Sequence, residues 1–353
     1  MSFLNPYVKV ASLFLLVSLI WSNPLQGQDR HFSQFYASPL TMNPALTGAF
    51  AGKFRIAGIY RDQWRPALER PFTTISTALD FRFKVPNVSQ YADAIGVGLI
   101  FYKDEVRNFD FTSNEINLSF AYHKALDLKN TQFLSAAIQA GISQRNINFN
   151  NQTFQDQFNQ KDGYTFPTAE TFPGNNIAFG DLSAGLNYSW TYKKNSLLQV
   201  GGAIHHILEP NIAFFEDPNA EKSKLFRRYQ VQGSMIFPVG RKSYLSPRLH
   251  YIQQGPHFEA NAGSNIRFLA NDYTRVAIHT GAWASLVGDE SIPVVLESAT
   301  LFFGLEYNGI LLGMSYDAGL SEINTLGYKR GAFEISIGYV GEYEDDIIQC
   351  PTF

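Results

Sequence analysis

Residues 114–123 read NEINLSFAYH, and the alternation of polar and apolar side chains along them decides the fold class. The apolar side chains, from Ile116 to Tyr122, occupy every second position, and the side chains between them are polar or small. Successive side chains of a β-strand point to opposite faces, so this stretch predicts a strand with one apolar and one polar face. A similar alternation recurs in residues 301–308 and 333–340.

Two features favour a membrane barrel over a soluble β-sandwich, whose strands also alternate. The predicted strands are often about 10 to 13 residues long, against about 5 to 6 in ordinary sheets. Their apolar faces also end in aromatic residues, as the interfacial girdles of a membrane barrel require. These aromatic residues are Tyr60, Trp64, Tyr122, Trp190, Tyr307 and Tyr339.

The composition fits the same class. Charged residues make up 17% of the 353 residues, against about 25% in a typical globular domain, and aromatic residues make up 15%. The mean hydropathy of −0.13 argues against a helical membrane protein but suits a barrel, in which lipid-facing and lumen-facing side chains alternate. The net charge of −3 argues against nucleic-acid binding, and the single cysteine, Cys350, gives no disulfide framework.

The whole chain predicts about 14 strands, an even number, as in single-chain bacterial barrels. They span residues 53–64, 72–83, 94–105, 112–126, 131–147, 179–192, 195–208, 224–239, 243–255, 257–269, 273–285, 298–308, 310–321 and 331–343. Tight connections alternate with longer ones for most of the chain, with exceptions at 84–93 and 255–256. Because such barrels have short periplasmic turns and longer outer loops, we predict an all-β, antiparallel, transmembrane barrel of the outer membrane with periplasmic termini.

The chain outside the barrel divides into three parts. Residues 1–27 are predicted to be a signal peptide, because Lys9 precedes an apolar run of about 12 residues, short of the roughly 20 that a spanning helix needs. Residues 28–52 form an N-terminal periplasmic or plug segment ahead of the barrel at 53–343, and residues 344–353 form a periplasmic tail.

Signals for catalysis are weak. Residues 313–317, GMSYD, only approach the nucleophile motif of hydrolases, and they lie within a predicted strand rather than at a strand-to-helix turn. His205 and His206 are adjacent on a predicted strand and should face opposite sides, so they cannot jointly bind a metal. We therefore expect no catalytic residue, cofactor or metal, and no enzymatic activity.

Four short motifs carry a resemblance to a known family. They are Phe32-Ser33-Gln34; Asn43-Pro44-Ala45 with Gly48; Tyr60-Arg61-Asp62-Gln63-Trp64; and the ending Cys350-Pro351-Thr352-Phe353. In this combination the chain resembles the PorP/SprF family of type IX secretion system membrane proteins of the Bacteroidetes. The motifs cover about a fifth of the chain, and the remaining resemblance is one of barrel pattern.

The resemblance implies a non-enzymatic role in type IX secretion and gliding motility. The expected partners are outer-membrane lipid and either a secreted adhesin carrying a C-terminal sorting domain, which the barrel would bind or anchor, or periplasmic ring components of the secretion machinery. No nucleic acid and no small-molecule substrate are expected. Asn-Pro-Ala ahead of fourteen strands also resembles FadL-type transporters, which leaves a channel for small or hydrophobic molecules as the alternative.

The motif residues also have a physical interpretation. Pro44 restricts Asn43 to extended or turn geometry, and Gly48 permits a turn before the first strand. Arg61 on the lumen side is positioned to hold the N-terminal segment, and Trp64 is expected at the membrane interface. Pro351 cannot continue a central strand, so Phe353 is expected to end a short tail. Phe353 would then not end a strand.

Overall fold

The structure is a computed structural model that describes most of the chain. It covers residues 29–65, 68, 70–86, 91–107, 110–215, 223–271, 276–289, 294–320 and 331–341. The predicted signal peptide and the predicted tail, with Cys350, Pro351 and Phe353, lie outside the described residues.

The described residues form fourteen antiparallel strands that close into a barrel, as the alternation predicted. The strands are β1 Phe54–Gln63, β2 Phe72–Lys84, β3 Ala94–Val106, β4 Phe111–Ala125, β5 Gln132–Ile147, β6 Asn176–Lys193, β7 Ser196–His205, β8 Arg228–Pro238, β9 Ser243–Gln254, β10 His257–Asn271, β11 Val276–Gly288, β12 Val295–Tyr307, β13 Ile310–Gly319 and β14 Gly331–Gly341. Short helical turns in the described part span Phe35–Ala37, Pro39–Met42, Pro44–Leu46, Phe149–Asn151 and Gln155–Gln157.

The barrel closes where the first strand meets the last. β1 pairs with β14 from Phe54 opposite Gly341 to Gln63 opposite Ala332. Each strand therefore has two hydrogen-bonded neighbours, which satisfies backbone groups that lipid could not. Within the described residues, no helix is long and apolar enough to cross a bilayer.

The two faces of the strands differ as period-two alternation requires. On β4, the side chain of Leu118 is 59% exposed on the outside, whereas its neighbour Ser119 is fully buried on the inside. On β12, Leu301 is 70% exposed and Phe302 is 3% exposed. The outer surface is thus a band of apolar side chains suited to lipid, and the inner surface is mainly polar.

We call the end of the barrel where β1 begins the near end, and the opposite end the far end. The near-end connections are residues 85–93, 126–131, 194–195, 239–242, 272–275 and 308–309. The far-end connections are residues 64–71, 107–110, 148–175, 206–227, 255–256, 289–294 and 320–330. The two longest connections, 148–175 and 206–227, both lie at the far end.

Several strand limits differ from the sequence prediction. β6 begins at Asn176, not at residue 179, because its pairing with β5 continues to Asn146 opposite Asn176. β7 ends at His205, not at residue 208, because His206 adopts a φ of 57° that leaves the extended conformation. β8 begins at Arg228, opposite His205, and so cannot start as early as predicted.

Candidate functional site

The lumen is occupied by the chain's own N-terminal segment, residues 29–53, which we call the lumen segment. At the far end, the backbone N–H of Asp29 donates to Oε1 of Gln254 at 2.8 Å, at the end of β9. At the near end, the N–H of Lys53 donates to the carbonyl of Gly341 at 3.0 Å, at the end of β14. The lumen segment therefore runs the length of the barrel before it enters β1.

The Phe-Ser-Gln motif is held by a buried carboxylate. Glu334 on β14 is fully buried and accepts the backbone N–H groups of Ser33 and Gln34, both at 2.8 Å. Arg61 on β1 lies between two carboxylates: it donates to Glu334 and, at 3.0 Å, to Asp317 on β13. Pairing offsets the cost of burying these charges. The cluster joins the lumen segment to three strands, β1, β13 and β14.

The Asn-Pro-Ala motif makes a capped turn against the opposite wall. Oδ1 of Asn43 accepts the N–H of Ala45 at 2.8 Å, and Pro44 occupies the position where a turn needs no N–H donor. Nδ2 of Asn43 donates across to the carbonyl of Leu186 on β6, at 3.0 Å. The close approach requires glycine on β6: a Cβ built on Gly185 would lie 2.0 Å from Oδ1 of Asn43.

Gly48 is needed for both its conformation and its size. Its φ is +70°, a region that L side chains rarely adopt, and a Cβ there would lie 2.7 Å from Cα of Gly96. Its N–H donates at 2.7 Å to Asp80, which also pairs with Arg55 at 2.8 Å. Arg55 in turn donates to the carbonyl of Leu46 at 3.0 Å. This second buried ion pair fixes the near-end part of the lumen segment.

An aromatic cluster fills the space between the contacts of the Phe-Ser-Gln motif and those of the Asn-Pro-Ala motif. Tyr36 stacks on Trp283 of β11 with ring centroids 5.6 Å apart, and it meets the edge of Phe302 on β12 at 5.9 Å. Phe32 packs against Tyr102 of β3 at 5.7 Å. The rings contribute apolar burial inside an otherwise polar lumen.

The remaining motif residues lie at the far-end rim. The hydroxyl of Tyr60 donates to Asp62 at 3.4 Å. Trp64 has a φ of 63° and packs edge-on against Phe72 at 5.1 Å, where β1 turns towards β2. Gln63 pairs with Phe72 as the last residue of β1. The structure therefore brings Arg61 to the lumen segment and places Tyr60, Gln63 and Trp64 around the rim.

The prediction that His205 and His206 face opposite sides of a strand was wrong. His205 and His206 are both buried, at 4% and 7% exposure, because the left-handed backbone of His206 turns its ring inward after β7 ends. Nδ1 of His205 lies 3.1 Å from Oγ of Ser183. His206 lies between Asp29 and Asp181, the latter at 2.7 Å, and therefore clamps the start of the lumen segment.

Two residues whose contacts fix the lumen segment, Asp317 and Asp29, were missed at the sequence level. Asp317 was treated only as part of an imperfect hydrolase motif, although it shares a face of β13 with the buried Ser315. No sequence pattern pointed to Asp29, because its partners are distant in the sequence. Oγ of Ser315 accepts from Gln34 at 2.9 Å, so this serine contacts the lumen segment.

The chemistry of the site is that of holding a chain. Glu334, Asp317, Arg55 and Arg61 are engaged with one another, with Asp80 or with the lumen segment. Among the residues that the structure describes, no group of three or more His, Cys, Asp or Glu side chains is arranged to hold a metal ion.

Comparison with solved structures returns bacterial outer-membrane barrels. The monoaromatic hydrocarbon channel CymD matches at 10% identity and a TM-score of 0.49, covering 91% of this chain and 96% of that one. The toluene transporter TbuX of Ralstonia pickettii matches at 10% identity and a TM-score of 0.47, covering 91% and 97%. A FadL homologue of Pseudomonas aeruginosa matches at 10% identity and a TM-score of 0.44, covering 84% and 92%.

Comparison with curated protein sequences found no match. The family comparison is specific and covers nearly the whole chain: residues 25–339 match the family described as "Type IX secretion system membrane protein PorP/SprF". The matched range includes the lumen segment and almost all of the barrel. The chain, an integral barrel of the outer membrane, therefore belongs to the PorP/SprF family of type IX secretion system membrane proteins.

Proposed function

We propose that this barrel binds and anchors a secreted surface protein at its far end as a non-enzymatic part of type IX secretion. The proposed partner is an adhesin with a C-terminal sorting domain. The near end, where β14 ends and most of the short turns lie, then faces the periplasm, and the lumen segment begins at the far end. In this proposal, residues 28–52 act as the plug of the barrel.

The occupied lumen supports a binding role over passage of solutes. The lumen segment is tied to the wall by the buried pairs of Arg55 with Asp80 and of Arg61 with Glu334. The backbone of the segment donates to these buried charges, from Ser33 and Gln34 to Glu334 and from Gly48 to Asp80. Loss of hydrogen bonds to buried charged groups is costly, so the segment is expected to stay in place under native conditions. Partner contacts then fall to the surfaces outside the membrane.

One observation carries the choice of the far end: its two longest loops expose large aromatic side chains to water. Tyr164 and Phe166 are each 54% exposed, and Phe158 is 50% exposed, all in the connection 148–175. Phe215 in the connection 206–227 is 64% exposed. Exposed aromatic residues grouped on ordered loops are typical of protein interfaces, where their burial supplies much of the binding energy.

A pull-down with matched variants tests the proposal. The tagged protein is extracted from native outer membranes in mild detergent, and the co-purifying proteins are identified by mass spectrometry. The test variant is Phe166→Ser with Phe215→Ser. The control is Leu128→Ser, which removes a side chain that is 61% exposed in the near-end turn 126–131.

We expect the wild type and the Leu128→Ser variant to recover a large exported protein, and the far-end double variant to lose it. Recovery of periplasmic ring components that is lost only in the Leu128→Ser variant would move the contact to the near end. A barrel recovered alone would favour the alternative, a channel for small or hydrophobic molecules.

A further inference from the structure

A cavity lies inside the barrel between the lumen segment and strands β6 to β9. It has an empty volume of about 640 Å³. The lumen segment supplies a largely apolar wall through Phe35, Tyr36, Pro39, Met42 and Leu46. An apolar wall that faces buried polar side chains is typical of sites for small molecules.

Arg248 of β9 lies on this cavity and differs from Arg55 and Arg61. Its exposure is only 7%, and its Nη1 is buried without a hydrogen-bond partner. Its guanidinium carbon lies 3.9 Å above the ring of Tyr36. Arg55 and Arg61 have carboxylate partners at 3.0 Å or less. In the described part of the chain, Arg248 has no such partner.

The side chains beside Arg248 also have unused hydrogen-bonding groups. Gln232 of β8 is 6% exposed, and both its Oε1 and its Nε2 lack partners within the described protein. Oδ1 of Asn187 on β6, at 1% exposure, is likewise without a partner there. Both residues line the cavity. A buried guanidinium and an amide donor facing one cavity are well suited to an anion that accepts several hydrogen bonds.

Part of the cavity wall, where β8 pairs with β9, faces the membrane. Gly233 and Leu249 are cross-strand partners on β8 and β9, and both line the cavity. Leu249 is 51% exposed on the outer face, and a Cβ built on Gly233 would meet no atom within 4 Å. The pairing of β8 with β9 is interrupted close by, opposite Pro247, which has no N–H to donate. Here the outer face of the wall meets lipid, and the hydrogen bonding between β8 and β9 is reduced.

We propose that this cavity binds an amphipathic carboxylate from the membrane, of the fatty-acid type. The carboxylate pairs with the guanidinium of Arg248 and accepts from Nε2 of Gln232. The apolar chain packs against Phe35, Met42 and Leu46. A guanidinium matches a carboxylate with two parallel hydrogen bonds, so it selects this headgroup over a neutral one. The proposal departs from the expectation, from sequence, that no small molecule is bound, and it does not depend on the secreted partner.

The test measures binding of ¹⁴C-labelled dodecanoate to the purified full-length barrel in nanodiscs, with empty nanodiscs as the background. Dodecanol has the chain without the charge, and hexanoate has the charge with a shorter chain. The test variant is Arg248→Met. The control is Arg227→Met, which removes an exposed arginine paired with Glu209 in the far-end connection 206–227. A difference in gel migration between the unheated and the heated protein verifies that each variant is folded.

We expect the wild type and the Arg227→Met variant to bind one dodecanoate per barrel. Dodecanol should bind about 10- to 100-fold more weakly, as loss of a charged hydrogen-bonded pair implies. Hexanoate should also bind more weakly, and the Arg248→Met variant should no longer distinguish dodecanoate from dodecanol. Absence of dodecanoate binding above background in the wild type would overturn the proposal, and so would equal affinity for dodecanoate and dodecanol. The wild-type comparison decides the matter even if the Arg248→Met variant does not fold.

Discussion

Replacing Arg61 with methionine should weaken the barrel more than any exposed charge substitution does. The substitution leaves Glu334 and Asp317, which are 0% and 4% exposed, facing each other without their cation. Because all three groups are buried, solvent screening offers little relief. Removal of one partner from a buried ion pair costs about 3–5 kcal/mol. With a urea dependence of about 3 kcal/mol per molar, the unfolding midpoint should fall by about 1–1.7 M.

The assay is urea unfolding of the barrel in detergent micelles, followed by tryptophan fluorescence. Trp283 packs on Tyr36 of the lumen segment, so its emission also reports whether the segment stays in place. The matched control is Arg107→Met. Arg107 is an exposed arginine that pairs with Glu105 at 3.2 Å, and its loss should cost at most about 1 kcal/mol.

A second variant separates charge imbalance from lost packing. Adding Glu334→Gln to Arg61→Met removes one of the two carboxylates left without a cation, so it should recover part of the lost stability. An unfolding midpoint of the Arg61→Met variant within error of the Arg107→Met control would refute the reasoning, since it would show that Arg61 does not hold the lumen segment.

Two further predictions concern the Asn-Pro-Ala contact and the longest loop. Gly185→Ala places a methyl group against Asn43 and should lower the urea midpoint of unfolding. Gly180→Ala on the same strand is the control, because its added Cβ would come no closer than 3.9 Å to its nearest neighbour, and it should leave the midpoint unchanged within error. Equal midpoints for the two variants would contradict the close approach of Asn43 to Gly185. The N–H of Ala169 donates to Asp156 and holds the pKa of that carboxyl below its ordinary value. The contact therefore stabilises loop 148–175 fully above the ordinary pKa of about 4, and this stabilisation is lost as the pH falls through the lowered pKa of Asp156. After correction for pepsin's own pH profile, pepsin should cut the loop of the wild type faster as the pH falls through this range. In the Asp156→Asn variant the corrected rate should not change with pH. Parallel profiles for the two proteins would show that Asp156 does not stabilise the loop.

The strands were predictable from sequence because lipid and lumen impose opposite demands on successive residues. Leu118 and Ser119 show the principle: one faces lipid and the other faces the interior, so the alternation fixes both the strand and its orientation. The inward position of Arg61 followed from the same rule. The rule stops where the extended backbone stops, as at His206, whose φ of 57° reverses the predicted direction of its ring.

The path of the lumen segment was not predictable in the same way. Its contacts join residues far apart in sequence, such as Asp29 with Gln254 and Ser33 with Glu334, and no local pattern encodes them. Nor does the sequence distinguish a paired lumen arginine from an unpaired one. Arg61 and Arg248 both lie on inward faces of strands, but only the closed barrel brings carboxylates to the first and a cavity to the second.

The lumen of the barrel is filled by the chain's own N-terminal segment. The most direct test is single-channel recording of the purified full-length protein in planar lipid bilayers. We predict that the wild type inserts without producing stepwise ion conductance, because the segment and its buried pairs occupy the path from the far end to the near end. Steady, long-lived conductance steps from the wild-type protein would contradict the account and identify the barrel as an open channel.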